Sequence, residues 1–354
     1  MTQHGLKDHT LSSAVSSKKP FYGTAIGTSD LALQPRRRAI LRDCNLVTPE
    51  YEMKWDAVCR HPQEPDYGPS DRLVAFAADQ GLAFHGHTLW WHEAIPAAYR
   101  EVPGSTFSEA ALRHLRETVS RYAGRLHSWD VVNEGLEPAH ERQDGLRRTP
   151  FLDSMGADYI GHAFREAAAL DPGAILVLNE MGLEYAHPEA EKKRRLMIAL
   201  LERELSKGTP IACLGIQSHL TAMEQPHRNP DLRAFLREID RMGLSVMITE
   251  LDVSDHLCPR DRRERDRLVA GTYRAYLDLV LEESKVLAVS TWGLSDDRTW
   301  LNAFRPRPDG SPQRPLPLDR ALRRKPAWHA IRASLLQAHT HGASPAKGET
   351  ETEH

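Results

Sequence analysis

The 354 residues carry 49 acidic and 46 basic side chains, a net charge of −3, and 40% of them are hydrophobic. Near-balance of charge gives no electrostatic footprint for nucleic acid or an anionic membrane surface, so neither partner is expected. No apolar run approaches the ~20 residues of a membrane-spanning helix, and the length allows one large domain or two ordinary ones.

Residues 1–19 are polar, rich in Ser, Thr, His and Lys, and predict a disordered arm. They hold no apolar h-region. The expectation is therefore either an intracellular protein or one that has lost its leader. The first apolar run, Phe21–Gly27, predicts a strand, and Arg36-Arg37-Arg38 reads as a solvated helix face. A second strand, Leu46–Pro49, ends at Glu50, with Lys54 just beyond. Ser70 is the expected cap of a helix running to Gln80, stopped by Gly81. Ala83–Trp91 predicts the third strand and brings His85, His87, Trp90, Trp91 and the following His92 together. Ser108 is the expected cap of a helix reaching about Tyr122.

Leu126–Glu134 is the stretch that organises the chain. Its apolar run with β-branched Val131 and Val132 suits a buried strand, and it stops abruptly on Asn133-Glu134. A helix over Asp158–Leu170 ends before the breaker cluster Asp171-Pro172-Gly173. Strand five, Ile175–Glu180, ends in Asn179-Glu180. The helix Glu189–Lys207 stops at Gly208, and its Lys192-Lys193-Arg194-Arg195 reads as a solvated face. Strand six, Cys213–Leu220, carries Gln217, Ser218 and His219. Leu232, Phe235, Leu236 and Ile239 follow the stripe of a half-buried helix. Strand seven, Leu244–Val253, carries Glu250 and Asp252. A helix over Arg262–Glu283, strand eight over Leu287–Leu294 with Trp292, and a helix over Leu318–Gln337 complete the set. Residues 339–354 predict a disordered tail, which leaves 20–338 as one domain.

Eight strands alternating with helices predict an α/β fold, a (β/α)8 barrel. A doubly wound sheet would want a Gly-rich first turn, and Gly23-Thr24-Ala25-Ile26-Gly27 lacks the GxGxxG form. In a barrel the C-terminal strand ends converge on one rim, where the polar residues of this chain cluster.

Cys44, Cys59, Cys213 and Cys258 are widely spaced, with no CxxC, which fits neither a metal site nor a disulfide framework. Cys213 reads as a core residue and Cys258 as a free thiol in a loop. His85, His87 and His92 lack a carboxylate or cysteine at ligand spacing, so neither metal nor cofactor is expected. His85 reads as a core histidine or one that supports a site residue from behind, and His92 as a partner of a backbone carbonyl or of the site. Trp55, Trp129 and Trp328 read as packing residues, and Asp130 as structural.

Carboxylates, amides and indoles on one rim describe a sugar site. Indoles stack on the apolar faces of pyranose rings, while amides and carboxylates bond the hydroxyls. Glycosidic cleavage needs two carboxyl groups in different protonation states, about 5–5.5 Å apart in a retaining enzyme. Glu134 and Glu250 are the expected pair. The plainer alternative is two strand-end glutamates that bond nearby loops.

Gly86-His87-Thr88-Leu89-Trp90-Trp91-His92, Trp129 to Glu134, Gln217-Ser218-His219-Leu220, Thr249-Glu250-Leu251-Asp252-Val253 and Thr291-Trp292-Gly293 through Trp300-Leu301 resemble glycoside hydrolase family 10. Val47-Thr48-Pro49-Glu50, Met53-Lys54-Trp55 and Lys325-Pro326-Ala327-Trp328 add to the likeness, which covers roughly residues 20 to 335. The resemblance implies an endo-β-1,4-xylanase acting on xylan or xylo-oligosaccharides with retention of configuration. It implies Glu134 as acid/base, Glu250 as nucleophile and Asn133 on the 2-hydroxyl of the cleaved sugar. His219 would bond Glu250 and be oriented by Asp252. Lys54, His87, Trp91, Gln217 and Trp292 would line the cleaved residue's site, Glu50 would reach the next sugar, and Trp300 would wall the cleft. A monomer is expected, and the family is largely secreted.

The chain departs from the family pattern beside that centre. Tyr51 stands where an Asn is usual, Glu93-Ala94 where Ser-Gln is usual, and Asn179-Glu180-Met181-Gly182 where Asn-Asp-Tyr-Asn is usual. The resemblance thus implies altered flanking subsites, suited to short or decorated xylo-oligosaccharides or to another β-glycoside. Readings from other classes are a catalytically inactive carbohydrate-binding barrel and a metal-dependent hydrolase that a chelator would inhibit.

Overall fold

The computed structural model describes residues 11, 20–61, 64–224 and 230–341. Eight parallel strands form the barrel: β1 (Phe21–Ile26), β2 (Leu46–Pro49), β3 (Ala83–Gly86), β4 (Ser128–Asn133), β5 (Ile175–Glu180), β6 (Cys213–Ile216), β7 (Ser245–Ser254) and β8 (Val286–Thr291). Each pairs with the next, and β8 returns to β1 through Phe21↔Ala288 to Thr24↔Thr291, which closes the ring. Eight main helices alternate with them: α1 (Gln34–Asp43), α2 (Gly68–Gln80), α3 (Gly104–Tyr122), α4 (Tyr159–Leu170), α5 (Pro188–Ser206), α6 (Pro230–Arg241), α7 (Arg262–Glu283) and α8 (Pro326–His341). The expected (β/α)8 barrel is the fold. Among the described residues no helix is long and apolar enough to cross a membrane.

The strands are buried on both faces, as helix-covered parallel strands must be. All ten residues of β7 are buried, polar ones included. Inside the ring Leu46, Val177, Cys213, Met247 and Ala288 pack as a layer, whereas the larger apolar cluster fills the space between strands and helices. Gly86 is required by that packing, because a Cβ there would stand 2.3 Å from the Trp129 ring. Trp55, Trp129 and Trp328 are all buried.

Several sequence expectations need correction. The third strand stops at Gly86, turns through a cis His87–Thr88 peptide and resumes as Trp90–Trp91, which pairs with β4. The sixth stops at Ile216. After Ser218, at φ 64°, His219–Thr221 pairs with the end of β7. Ser70 does not cap α2. That helix opens at Gly68 with Pro69 in its first turn, a position proline favours, and the Ser70 hydroxyl donates to the Glu52 carbonyl at 2.7 Å. Ser108 lies one turn inside α3 and donates to the Ser105 carbonyl at 2.9 Å. The last helix starts at Pro326, not Leu318, because Leu318 is held by bridges to Ser295 and Arg324.

Three basic residues are not solvated faces. Arg36 pairs with Asp30 at 2.9 Å and with Asp297. Lys193 and Arg194 are buried, and Arg194 donates to the Leu183 and Tyr185 carbonyls. Cys258 is buried like the other three cysteines, and none forms a disulfide. The expected arm over residues 1–19 lies outside the described residues apart from Leu11, which is buried. The expected tail also lies outside them, except that α8 continues to His341.

Candidate active site

Strand ends set the two carboxylates on one rim. In β7 side chains alternate, so Glu250 and Asp252 share a face, and Glu250 is 5% exposed. Glu134 gets there differently. It follows the last residue of β4 in a left-handed conformation at φ 57°, a strained choice for a non-glycine residue. Its N–H donates to the Asn179 carbonyl at 2.9 Å, and its carbonyl accepts from Arg147 Nε at 2.9 Å. These two bonds fix the turn.

Three amides join the carboxylates. Gln217 Nε2 donates to Glu134 Oε1 at 2.9 Å and lies 3.3 Å from Asn133 Oδ1. Asn179 Nδ2 lies 2.9 Å from both Asn133 Oδ1 and Glu250 Oε1, and Asn179 Oδ1 accepts from Thr249 at 2.8 Å. Asn133 and Asn179 are register partners in neighbouring strands, which is why their side chains meet.

On the other oxygen of Glu250, His219 Nε2 stands at 3.2 Å. His219 Nδ1 stands 3.1 Å from Asp252 Oδ1, and Trp300 Nε1 donates to Asp252 Oδ2 at 2.8 Å. Burial opposes charge on the imidazole, but Asp252 and Glu250 overcome it and raise the His219 pKa to about 10. Burial likewise opposes charge on Glu250, yet the His219 hydrogen bond and the nearby His87 leave its carboxyl below the usual range. Glu250 is therefore buried and ionised at neutral pH.

An aromatic and cationic wall completes the pocket. Lys54 Nζ lies 4.6 Å from the Trp91 ring centroid and 5.9 Å from that of Trp292. Burial lowers the Lys54 pKa, against the pull of Glu250 and Glu50. His87 meets Trp292 edge-on at 5.2 Å, and its Nδ1 is 2.8 Å from Asp130 Oδ2. His85 Nε2 is 3.0 Å from the same oxygen, and burial of Asp130 is offset by both imidazoles, which hold its pKa low. Asp130 thus orients His87 from below.

The structure gathers Asn133, Glu134, Gln217, Glu250, His219 and Asp252 into one network, with Lys54, His87, Trp91 and Trp292 around it. Glu50 and Trp300 stand one step out. Glu50 lies 3.8 Å from Arg298, and its pKa is raised by burial against that cation. Trp300 backs His219 at 5.0 Å and meets the exposed Phe304 at a tilt, 4.7 Å between ring centroids. His92 is half-buried, with burial and Arg147 lowering its pKa to about 4, and Nε2 is 3.9 Å from Glu93. Asn179 and Arg147 had no assigned part in the sequence reading. Only the parallel endings Asn133-Glu134 and Asn179-Glu180 hint at the first. At the three departures, Tyr51 and Met181 are exposed and Ala94 is buried. Tyr51 turns its hydroxyl to Asp56 at 3.2 Å.

Comparison with known proteins agrees with this architecture. A profile described as Glycosyl hydrolase family 10 matches residues 10–334. The chain is 32% identical to endo-1,4-beta-xylanase C of Paenibacillus barcinonensis over 324 residues, covering 84% of this chain but only 29% of that longer protein. It is 32% identical to a beta-1,4-xylanase of Dictyoglomus thermophilum over 298 residues, covering 80% of each. Among solved structures, native xylanase 10B from Thermotoga maritima superposes with a TM-score of 0.84 at 26% identity, covering 94% of this chain and 99% of that one. With a family profile matched over nearly its whole length and a barrel of the same form, the chain belongs to glycosyl hydrolase family 10.

Proposed function

We propose that this protein is an endo-1,4-β-xylanase that cleaves xylan or xylo-oligosaccharides with retention of configuration. The observation that carries the reading is the joining of Glu134 and Glu250 through Asn133, Asn179 and Gln217, with Glu250 held ionised by His219. Glu250 attacks the anomeric carbon while Glu134 protonates the departing glycosidic oxygen. The C–O bond breaks and a glycosyl ester forms on Glu250. Glu134, now a base, takes a proton from water, whose oxygen displaces Glu250 and restores both carboxyl groups. Asn133 bonds the 2-hydroxyl as positive charge builds on the ring. Lys54, His87 and Gln217 bond the hydroxyls of the same sugar, and Trp91 and Trp292 wall its faces. Glu50 contacts the next sugar, and Trp300 holds Asp252 and thereby His219 in place.

The neighbouring subsites favour short or decorated xylo-oligosaccharides over plain linear xylan. Tyr51 and Ala94 offer neither of the amides that usually bond the second sugar. Met181 places an exposed thioether where a tyrosine usually supports the leaving group. A site that loses donors to hydroxyls loses discrimination for them.

The test is digestion of xylan, linear and branched xylo-oligosaccharides and aryl β-glycosides, with mass analysis of products and NMR of the first-formed anomer. The reading expects the β-anomer first, and branched or short substrates ahead of polymer. An α-anomer product, or no cleavage of any β-xyloside, would overturn it. Full-rate cleavage of plain xylan would overturn only the claim about flanking subsites.

A further inference from the structure

The buried cations of α5 serve no purpose in the scheme above. Lys193 and Glu180 form a pair with Nζ 2.7 Å from Oε1, their side chains 8% and 1% exposed. Taking two charges out of water is costly, and such pairs stabilise a fold weakly at best. What Glu180 does with its charge is more informative. Its Oε2 accepts the Leu136 N–H at 3.0 Å, and Oε1 accepts the Met181 N–H at 3.0 Å. Leu136 is two residues beyond Glu134.

The segment from Glu134 to Arg147 is held from the same side at further points. Lys192 Nζ donates to the Pro138 carbonyl at 3.0 Å. Leu196, one turn along α5, packs against Gly145, where a Cβ would stand 2.8 Å from its Cδ2. Arg147 returns to the start of the segment, donating to the Glu134 and Leu136 carbonyls and pairing with Glu137 at 3.0 Å. Leu136 and Leu146 form a bridge across it. One face of α5 is therefore the floor beneath the loop that carries Glu134.

We propose that Lys192 and Lys193 are positioning residues for Glu134. Through Glu180 and the Pro138 carbonyl, they hold its left-handed turn at the angle from which its carboxyl reaches the glycosidic oxygen. This rests on Glu134 being the acid/base, as proposed above. The physical basis is that a proton donor misplaced by about 1 Å loses much of its effect, on the order of 10²-fold, while a group with no role in leaving-group protonation does not share that loss.

That difference supplies the test. A dinitrophenyl β-xylobioside has a leaving group that departs without a proton, whereas xylotetraose needs one. Lys193→Met is expected to lower kcat/KM on xylotetraose on the order of 10- to 100-fold and on the aryl glycoside by less than about threefold. Lys193→Arg should restore most of the loss. Lys192→Ala, at an exposed side chain, should show a smaller split of the same sign, and it carries the test should Lys193→Met not fold. Glu134→Ala run beside them must show the largest split. If it does and the lysine variants lose equally on both substrates, or lose nothing, the positioning role is overturned. If Glu134→Ala shows no split, the acid/base reading falls and this inference with it.

Discussion

His219 is the residue on which the charge of Glu250 turns, and with it the reaction proposed above. Its pKa is raised to about 10, so the imidazolium adds stability that is complete below its unfolded value, about 6.5, and is lost as pH rises through about 10. The unfolding free energies of wild type and His219→Asn should therefore converge between pH 6 and 10 in denaturant titrations. A gap that widens with pH would reject this account. The carboxyl of Glu250 is shifted the other way, so its ionised form persists below the usual carboxylate range. Removing His219 should move the acid limb of the kcat/KM profile to higher pH, because the hydrogen bond and positive charge that hold the Glu250 carboxyl low are lost. An unmoved limb would mean that Glu250 does not depend on the imidazole. For the carboxylates themselves, Glu250→Ala should abolish turnover by on the order of 10⁴-fold or more. Added azide should rescue it as a glycosyl azide of inverted configuration. Product of retained configuration would place the nucleophile elsewhere. The placement of both glutamates on the rim was legible in the sequence because a charge closing an apolar run is conspicuous. The bond from Asn179 to Glu250 was not, since it depends on which strands are neighbours and in what register.

At the level of elements, strands were easier to read than their ends. Apolar content marks a buried strand, but Gly86 and Ser218 end theirs through backbone geometry that periodicity does not encode. The expected caps at Ser70 and Ser108 failed for a related reason. Each hydroxyl found a backbone carbonyl nearby, and each helix had already begun, one behind Pro69 and the other at Gly104. The tetrad Lys192 to Arg195 reads as solvent-facing because four adjacent cations seldom share a buried face. Nothing local reveals that the end of β5 and the segment after it bury two of them, Lys193 against Glu180 and Arg194 against the Leu183 and Tyr185 carbonyls. Gly86 gives the element-scale prediction. Gly86→Ala drives a methyl into the Trp129 ring and should lower the thermal midpoint sharply, by about 3 kcal/mol or more in stability. An unchanged midpoint would show that β3 and β4 can separate freely.

Across the whole molecule, closure of the ring is where distant parts of the chain must agree. β8 meets β1, and the segment after β8 is tied down by Lys325, which sits just ahead of α8. Its Nζ is 2.9 Å from Asp296 Oδ2 and also donates to the Leu316 carbonyl at 2.8 Å. Burial raises the Asp296 pKa to about 6 even with that cation beside it. Lys325→Met would strand the carboxylate and should cost about 3–5 kcal/mol, read as a lower urea midpoint. The loss should shrink at low pH, where Asp296 is protonated. A pH-independent loss would point to packing instead. The alternation of strands and helices foretold a barrel. No local signal foretold this seam, because its partners are 29 positions apart and both lie outside the barrel strands and main helices.

The four cysteines offer a use that their chemistry does not advertise. With no cystine to break, a thiol reductant leaves the fold untouched, and a colourless aryl disulfide finds little to react with while the ring stays shut. Cys213 inside the barrel and Cys258 in the segment that follows β7 lie at different places in the fold. Their labelling rates would time the opening of the centre and of the edge separately, a built-in clock that needs no engineered probe site.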